Sequence, residues 1–179
     1  WLPTGEGRGV RQQTAVKKLA IASLLTAVAV VGSLVSFPVL GSRCSPVQHM
    51  VNILCAVFLG PWYGVACAFA ASFLRNLLGL GTLLAFPGSM VGALVCGLTY
   101  WGTRNLGATC VGEGFGTGIL GGLAAWPIAT LILGQSVAVY GYMGPFLIST
   151  VGGSIIAGAV LFALKRSGGL DVMQTLVRR

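Results

Sequence analysis

The chain has 179 residues, 55% of them hydrophobic and 8% charged, with a mean hydropathy of +0.89. A soluble domain carries roughly 25% charged residues, so a water-soluble globule is excluded and an all-α membrane protein is expected. The net charge of +8 flanks the apolar runs: Arg8, Arg11, Lys17 and Lys18 before the first, Arg104 in a polar break, Lys165, Arg166, Arg178 and Arg179 after the last, a pattern that marks topology and argues against a nucleic-acid partner.

Residues 1–17 read as a cytoplasmic tail. The apolar run from Leu19 to Leu40 is too long for the h-region of a signal peptide, and no small-residue cleavage pattern follows, so a retained first span over 19–38 is expected. Within it Ala22 and Thr26, and likewise Ser23 and Ala27, are small residues four apart. Such a stripe either packs inside a bundle or faces another membrane protein.

From Cys44 to Leu74 no acidic or basic residue occurs, and as one helix this run would be roughly 46 Å long, beyond a hydrocarbon core of about 30 Å. GPWYG at 60–64 interrupts it with turn formers and interfacial aromatics. If 46–78 crossed once, the two basic termini would face opposite sides. Read as a hairpin, it gives six spans with both termini and Arg104 cytoplasmic, leaving only Arg43 and Arg75 outside. The expected helices are 19–38, 46–59, 61–78, 88–102, 108–133 and 142–164, together a transmembrane domain over 18–165 followed by a cytoplasmic tail, 166–179. The second is short for a span and needs tilting or shielding by its neighbours.

The connection 79–90, GLGTLLAFPGSM, is apolar for a loop in water and is expected to fold back as a lid over the outer mouth. Gly88, Gly92 and Cys96 on the fourth span, Gly114, Gly118 and Gly122 on the fifth, and Ser154 with Gly158 on the sixth supply close-packing faces. Gly116–Gly121 also spells GxGxxG, but without the strand and βαβ unit a dinucleotide site requires. Pro127 is expected to kink the fifth span. Glu113 is placed in the first turn of that span, paired with Arg104 in a structural role. Five cysteines show no CxxC spacing and read as small buried thiols, with no metal site.

The hairpin brings two polar clusters to the same outer end. Gln48, His49 and Asn52 share one arc of the second helix, and Ser72, Arg75 and Asn76 share one face of the third. Singly, each has a plain explanation: Arg75 snorkelling, Asn76 capping its helix, His49 bonding a carbonyl. Their convergence at membrane depth, beneath an apolar lid carrying Phe86, points to a pocket for a small heteroaromatic ligand.

The runs SRCSPVQHMVN, LGPWYG and RNLLGLGTLLAFPGSMVGAL resemble the ThiW family of substrate-binding S components of energy-coupling factor (ECF) transporters, over about residues 17–165. The resemblance implies a six-helix S component that binds hydroxyethylthiazole, or its phosphate, and works with a transmembrane coupling protein and two ABC ATPases. It also implies docking on the coupling protein through small residues of the first helix, here Ala22, Ser23, Thr26 and Ala27. The substrate residues then are Gln48, His49, Asn52, Ser72, Arg75, Asn76 and Phe86. No Walker A motif, nucleophilic triad or metal-ligand cluster is present, so no cofactor and no enzymatic activity are expected. Thiamine or another vitamin is the alternative ligand, thiamine being disfavoured because no carboxylate is expected at the outer end. A self-sufficient membrane transporter is the alternative class.

Overall fold

A computed structural model describes residues 5–39 and 42–178. Among them are seven helices: α1 (Gly5–Gly32), α2 (Pro46–Phe58), α3 (Pro61–Leu77), α4 (Ala85–Thr103), α5 (Leu106–Ile132), α6 (Met143–Arg166) and α7 (Gly169–Arg178). The stretches Gln12–Val35, α5 and α6 are long and apolar enough to cross a membrane. Residues 1–4 of the N-terminal tail, Leu40 at the end of the first apolar run, and Arg179 of the C-terminal tail lie outside the described residues.

Two expectations are corrected at the start of the chain. α1 begins at Gly5 rather than near Leu19, because no proline or capping residue separates the basic stretch from the apolar one, and helix propagates through both. After α1 the chain forms an antiparallel ribbon, β1 (Phe37–Val39) and β2 (Ser42–Cys44), with Pro38 opposite Arg43. β2 alternates, Ser42 and Cys44 buried and Arg43 exposed, and the Cys44 thiol donates to Pro145 O at 3.2 Å.

α2 is the axis of the bundle. Every residue from Gln48 to Phe58 is buried, because α1, α3, α4, α5 and α6 all pack around it. Thirteen residues suffice where the neighbours, not lipid, surround the helix. Gly60, at φ 90°, takes a conformation that favours glycine, and Pro61 opens α3 at the position where its missing N–H costs nothing. The turn at 60–61 lets α3 fold back beside α2.

Apolar surface drives no association between helices in lipid, so backbone proximity decides the packing. A Cβ on Gly97 would stand 2.5 Å from Pro61 Cα, and one on Gly121 would stand 2.8 Å from Gly88 Cα. Gly118 and Gly122 close on Leu147 and Met143 of α6 as expected, but Gly114 and Gly158 face open space. The packing face of α6 is instead Gly153 and Ala157: a Cβ on Gly153 would stand 2.5 Å from Pro46 O.

α5 is an α-helix through Glu113, widens into π turns over Gly114–Gly121, returns to α over Gly122–Pro127, and is again π over Ile128–Ile132. Pro127 lies where the N–H it lacks would interrupt the α ladder, and the second π stretch follows it directly. α7 returns against α6, α1 and α2, with Val177 buried and Gln174 Nε2 donating to Tyr100 Oη at 3.0 Å, so residues 169–178 are a packed helix.

Candidate functional site

The polar groups of α2 gather round a carboxylate. Glu113 is fully buried on α5, and its Oε1 accepts from His49 Nδ1 at 2.9 Å, Asn52 Nδ2 at 3.0 Å and Thr117 Oγ1 at 3.0 Å. Asn52 Nδ2 also donates to Ser89 O at 3.2 Å, and Gln48 Nε2 donates to Asn52 Oδ1 at 3.3 Å. A carboxylate oxygen is the acceptor in this contact, so His49 Nδ1 is its donor.

This corrects the reading of Glu113. It lies two helical turns beyond the N-cap Asn105, whose own side chain receives the amides of Gly107 and Ala108, and it faces inward. Arg104 is exposed and lies 5.5 Å above the Tyr100 ring, forming no ion pair with Glu113. The objection to a cationic ligand, that no carboxylate stands near the polar clusters, therefore falls, although Oε1 is already committed to three donors.

Gly92 makes room for this arrangement. A Cβ there would stand 1.8 Å from Thr117 Oγ1 and 3.0 Å from Glu113 Oε1. The π widening of α5 begins at Gly114, immediately after the carboxylate, and Gly116 lies against Gly92 and Val95 of α4. Such π segments are frequent at functional sites.

Beside the network is a cavity of about 30 Å³, walled by Arg43, Ser45, Gln48, His49, Arg75 and Ser149 and completed by Ala85, Gly88, Ser89, Thr117 and Phe146. Gln48, His49 and Arg75 thus line it directly. Asn52 stands behind them in the Glu113 network. Ser72 hydrogen-bonds Ser89 at 2.9 Å, and since the Ser89 hydroxyl donates to Ala85 O, Ser72 is the donor. Asn76 Nδ2 bonds Ser72 O and Thr82 O at 2.8 and 3.1 Å, fastening the end of α3 to the following loop. Phe86 turns away from the cavity and packs on Phe69, ring centroids 5.6 Å apart. Leu84, not Phe86, is the buried apolar anchor of that segment, packed with Tyr142 and Phe146.

The residues that sequence reasoning did not place at the site are Arg43, Ser45, Ser89, Glu113, Thr117, Phe146 and Ser149. Arg43 Nη1 donates to Gly79 O at 3.3 Å, so the ribbon and the α3–α4 loop meet across the mouth. Four buried polar atoms around this region have no partner: Ser45 Oγ, Gln48 Oε1, Arg75 Nε and Glu113 Oε2. Buried polar atoms are normally satisfied, and three of these four, on Ser45, Gln48 and Arg75, leave unmet hydrogen-bonding capacity in the cavity wall. A larger cavity, about 410 Å³, lies at the opposite end beside the α2–α3 turn, with Lys18, Trp62, Tyr100, Trp101, Arg104 and Gln174 among its walls, but it holds none of these orphans.

On α1, Ala22 and Thr26 are buried against the bundle, with Ala22 O accepting from the Cys67 thiol, whereas Ser23 and Ala27 face outward. No group of three or more His, Cys, Asp or Glu side chains suited to a metal occurs among the described residues. In the comparison with family models, the family described as thiamine-precursor transporter protein (ThiW) matches over residues 19–167. No curated protein and no solved structure matches the chain.

Proposed function

The chain belongs to the ThiW family of thiamine-precursor transporter proteins, and from this premise we propose that it is the substrate-binding S component of an ECF transporter that imports hydroxyethylthiazole. The observation that carries the reading is the buried convergence of Gln48, His49, Asn52, Arg75 and Glu113 beside one cavity at one end of an apolar helix bundle. In this reading α2 and α3 cross as a hairpin, giving six spans with both termini cytoplasmic, in accord with the basic flanks. The thiazole ring lies against Phe146 and the Cα of Gly88, and Gln48 Oε1 accepts from the hydroxyl. Ser72 and Asn76 hold the wall in place, and Phe86 steadies the lid through Phe69.

A cavity of about 30 Å³ has room for about one water, so a thiazole enters only if the mouth opens. The Arg43–Gly79 hydrogen bond is the exposed contact across that mouth. The outward pair Ser23 and Ala27 is the docking face for the coupling protein, and two ABC ATPases supply the energy. Ala22 and Thr26 support that face from within.

Calorimetry on purified protein tests the ligand: hydroxyethylthiazole is expected to bind at micromolar concentration or below. Binding of thiamine in its place would assign the Glu113 carboxylate to a cationic ligand and overturn the thiazole assignment. Uptake by vesicles containing this protein alone would overturn the S-component role.

A further inference from the structure

The hydroxyethyl precursor carries no charge, yet the cavity is built around unpaired cations. Arg75 is 2% exposed, its side chain forms no hydrogen bond or ion pair among the described residues, and its Nε is buried without a partner. The charge acting on it is another cation, Arg43. Glu113 does not compensate it, since its bonds go to His49, Asn52 and Thr117. An unpaired guanidinium out of water is costly unless something with negative charge completes it.

The donors on that wall converge. Arg75 Nε–H and the Ser45 hydroxyl are orphaned. The Ser149 hydroxyl accepts from Ser45 N at 2.9 Å and so has its own proton left to give. Arg43, on the exposed ribbon, reaches the same cavity with a guanidinium anchored by one 3.3 Å bond. Two guanidiniums and two hydroxyl donors around one space match an oxyanion. The orphaned acceptor Gln48 Oε1 belongs to the α2 wall instead.

We propose that Arg43, Arg75, Ser45 and Ser149 form an oxyanion subsite, and that the ligand is bound as an anion, a phosphate monoester or carboxylate of the thiazole, with Arg43 leaving Gly79 to close on it. This rests on the thiazole reading above. Three ligands separate the possibilities by calorimetry: hydroxyethylthiazole, its phosphate monoester, and the thiazole acetic acid of the same ring. At least one anionic compound is expected to bind the wild type about tenfold or more tighter than the alcohol, the scale of one charge-assisted contact.

R43Q, on the exposed ribbon, is expected to fold normally and to reduce that preference to about threefold or less. R75M is expected to do the same and to melt at or above the wild-type temperature, because it removes an uncompensated buried charge. An Arg75 that only supported the fold would lower the melting temperature and weaken all three ligands alike. Anions binding no tighter than the alcohol, or a preference surviving in both variants, overturns the subsite and leaves the thiazole reading intact. Inorganic phosphate is a fourth probe: raising the melting temperature of the wild type but not of R43Q while no thiazole binds, it supports the subsite and overturns the thiazole reading. No response to any of the four overturns both.

Discussion

Glu113 accepts three donors on one oxygen, so its removal leaves three groups to rearrange rather than one bond to lose. Glu113→Ala is expected to destabilise the protein by about 3 kcal/mol, since each buried donor left unmade costs its own desolvation. Glu113→Gln retains an acceptor and gives up only the charge, and about 1 kcal/mol is expected. Thermal unfolding in detergent separates the two, and equal losses would show that the carboxylate is not the hub. Of this site, the α2 and α3 residues were legible because they share a helix face and one turn joins their helices. Glu113 was not: its partners lie 61 and 64 residues earlier, and a charge near a polar break resembles a helix-terminal carboxylate. Arg43 was hidden for a related reason, as its place depends on a ribbon of three residues per strand.

At the scale of elements, α4 and α5 meet through glycines whose missing side chains are the contact. Gly92→Ala would drive a methyl into the Thr117 hydroxyl and the Glu113 carboxylate, which can yield only by giving up their buried hydrogen bonds, and a loss of about 2 kcal/mol together with ligand binding is expected. Gly158→Ala is the control. Nothing lies within 4 Å of its Cβ position on a helix, so unchanged binding and a gain of up to about 1 kcal/mol are expected. Melting curves and calorimetry on both variants check the pair. Small-residue spacing revealed that such faces exist but not which of two offset stripes was used: Ser154 and Gly158 have the same period as Gly153 and Ala157, one position away. Helix bounds were legible at 46, 60 and 61, where Pro or Gly fixed them, and were missed at α1, where no breaker stands, and at α4, which begins at Ala85 rather than 88 and holds Pro87 in its first turn.

For the whole molecule, the partly occupied faces of α1 decide how ligand capture connects to transport. Ala22 and Thr26 are shielded inside the bundle, so a large residue there must distort α1 against α3, whereas Ser23 and Ala27 look outward and tolerate bulk without disturbing the fold. The Ser23 hydroxyl bonds only Leu19 O on its own helix, which leaves the surface smooth for a second backbone. If that surface docks on a coupling protein, Ala27→Phe blocks close approach at the partner and nowhere else. The expected outcome is a melting temperature and ligand affinity within error of wild type, with uptake in cells reduced about tenfold or more, the loss that follows from more than about 1.4 kcal/mol of weakened association. Ala22→Phe is expected to lower the melting temperature itself by overpacking the core, at a cost of about 1 to 3 kcal/mol. Parallel uptake and calorimetry on the two variants separate a docking defect from a folding defect, and normal uptake by Ala27→Phe would move the docking face to another helix.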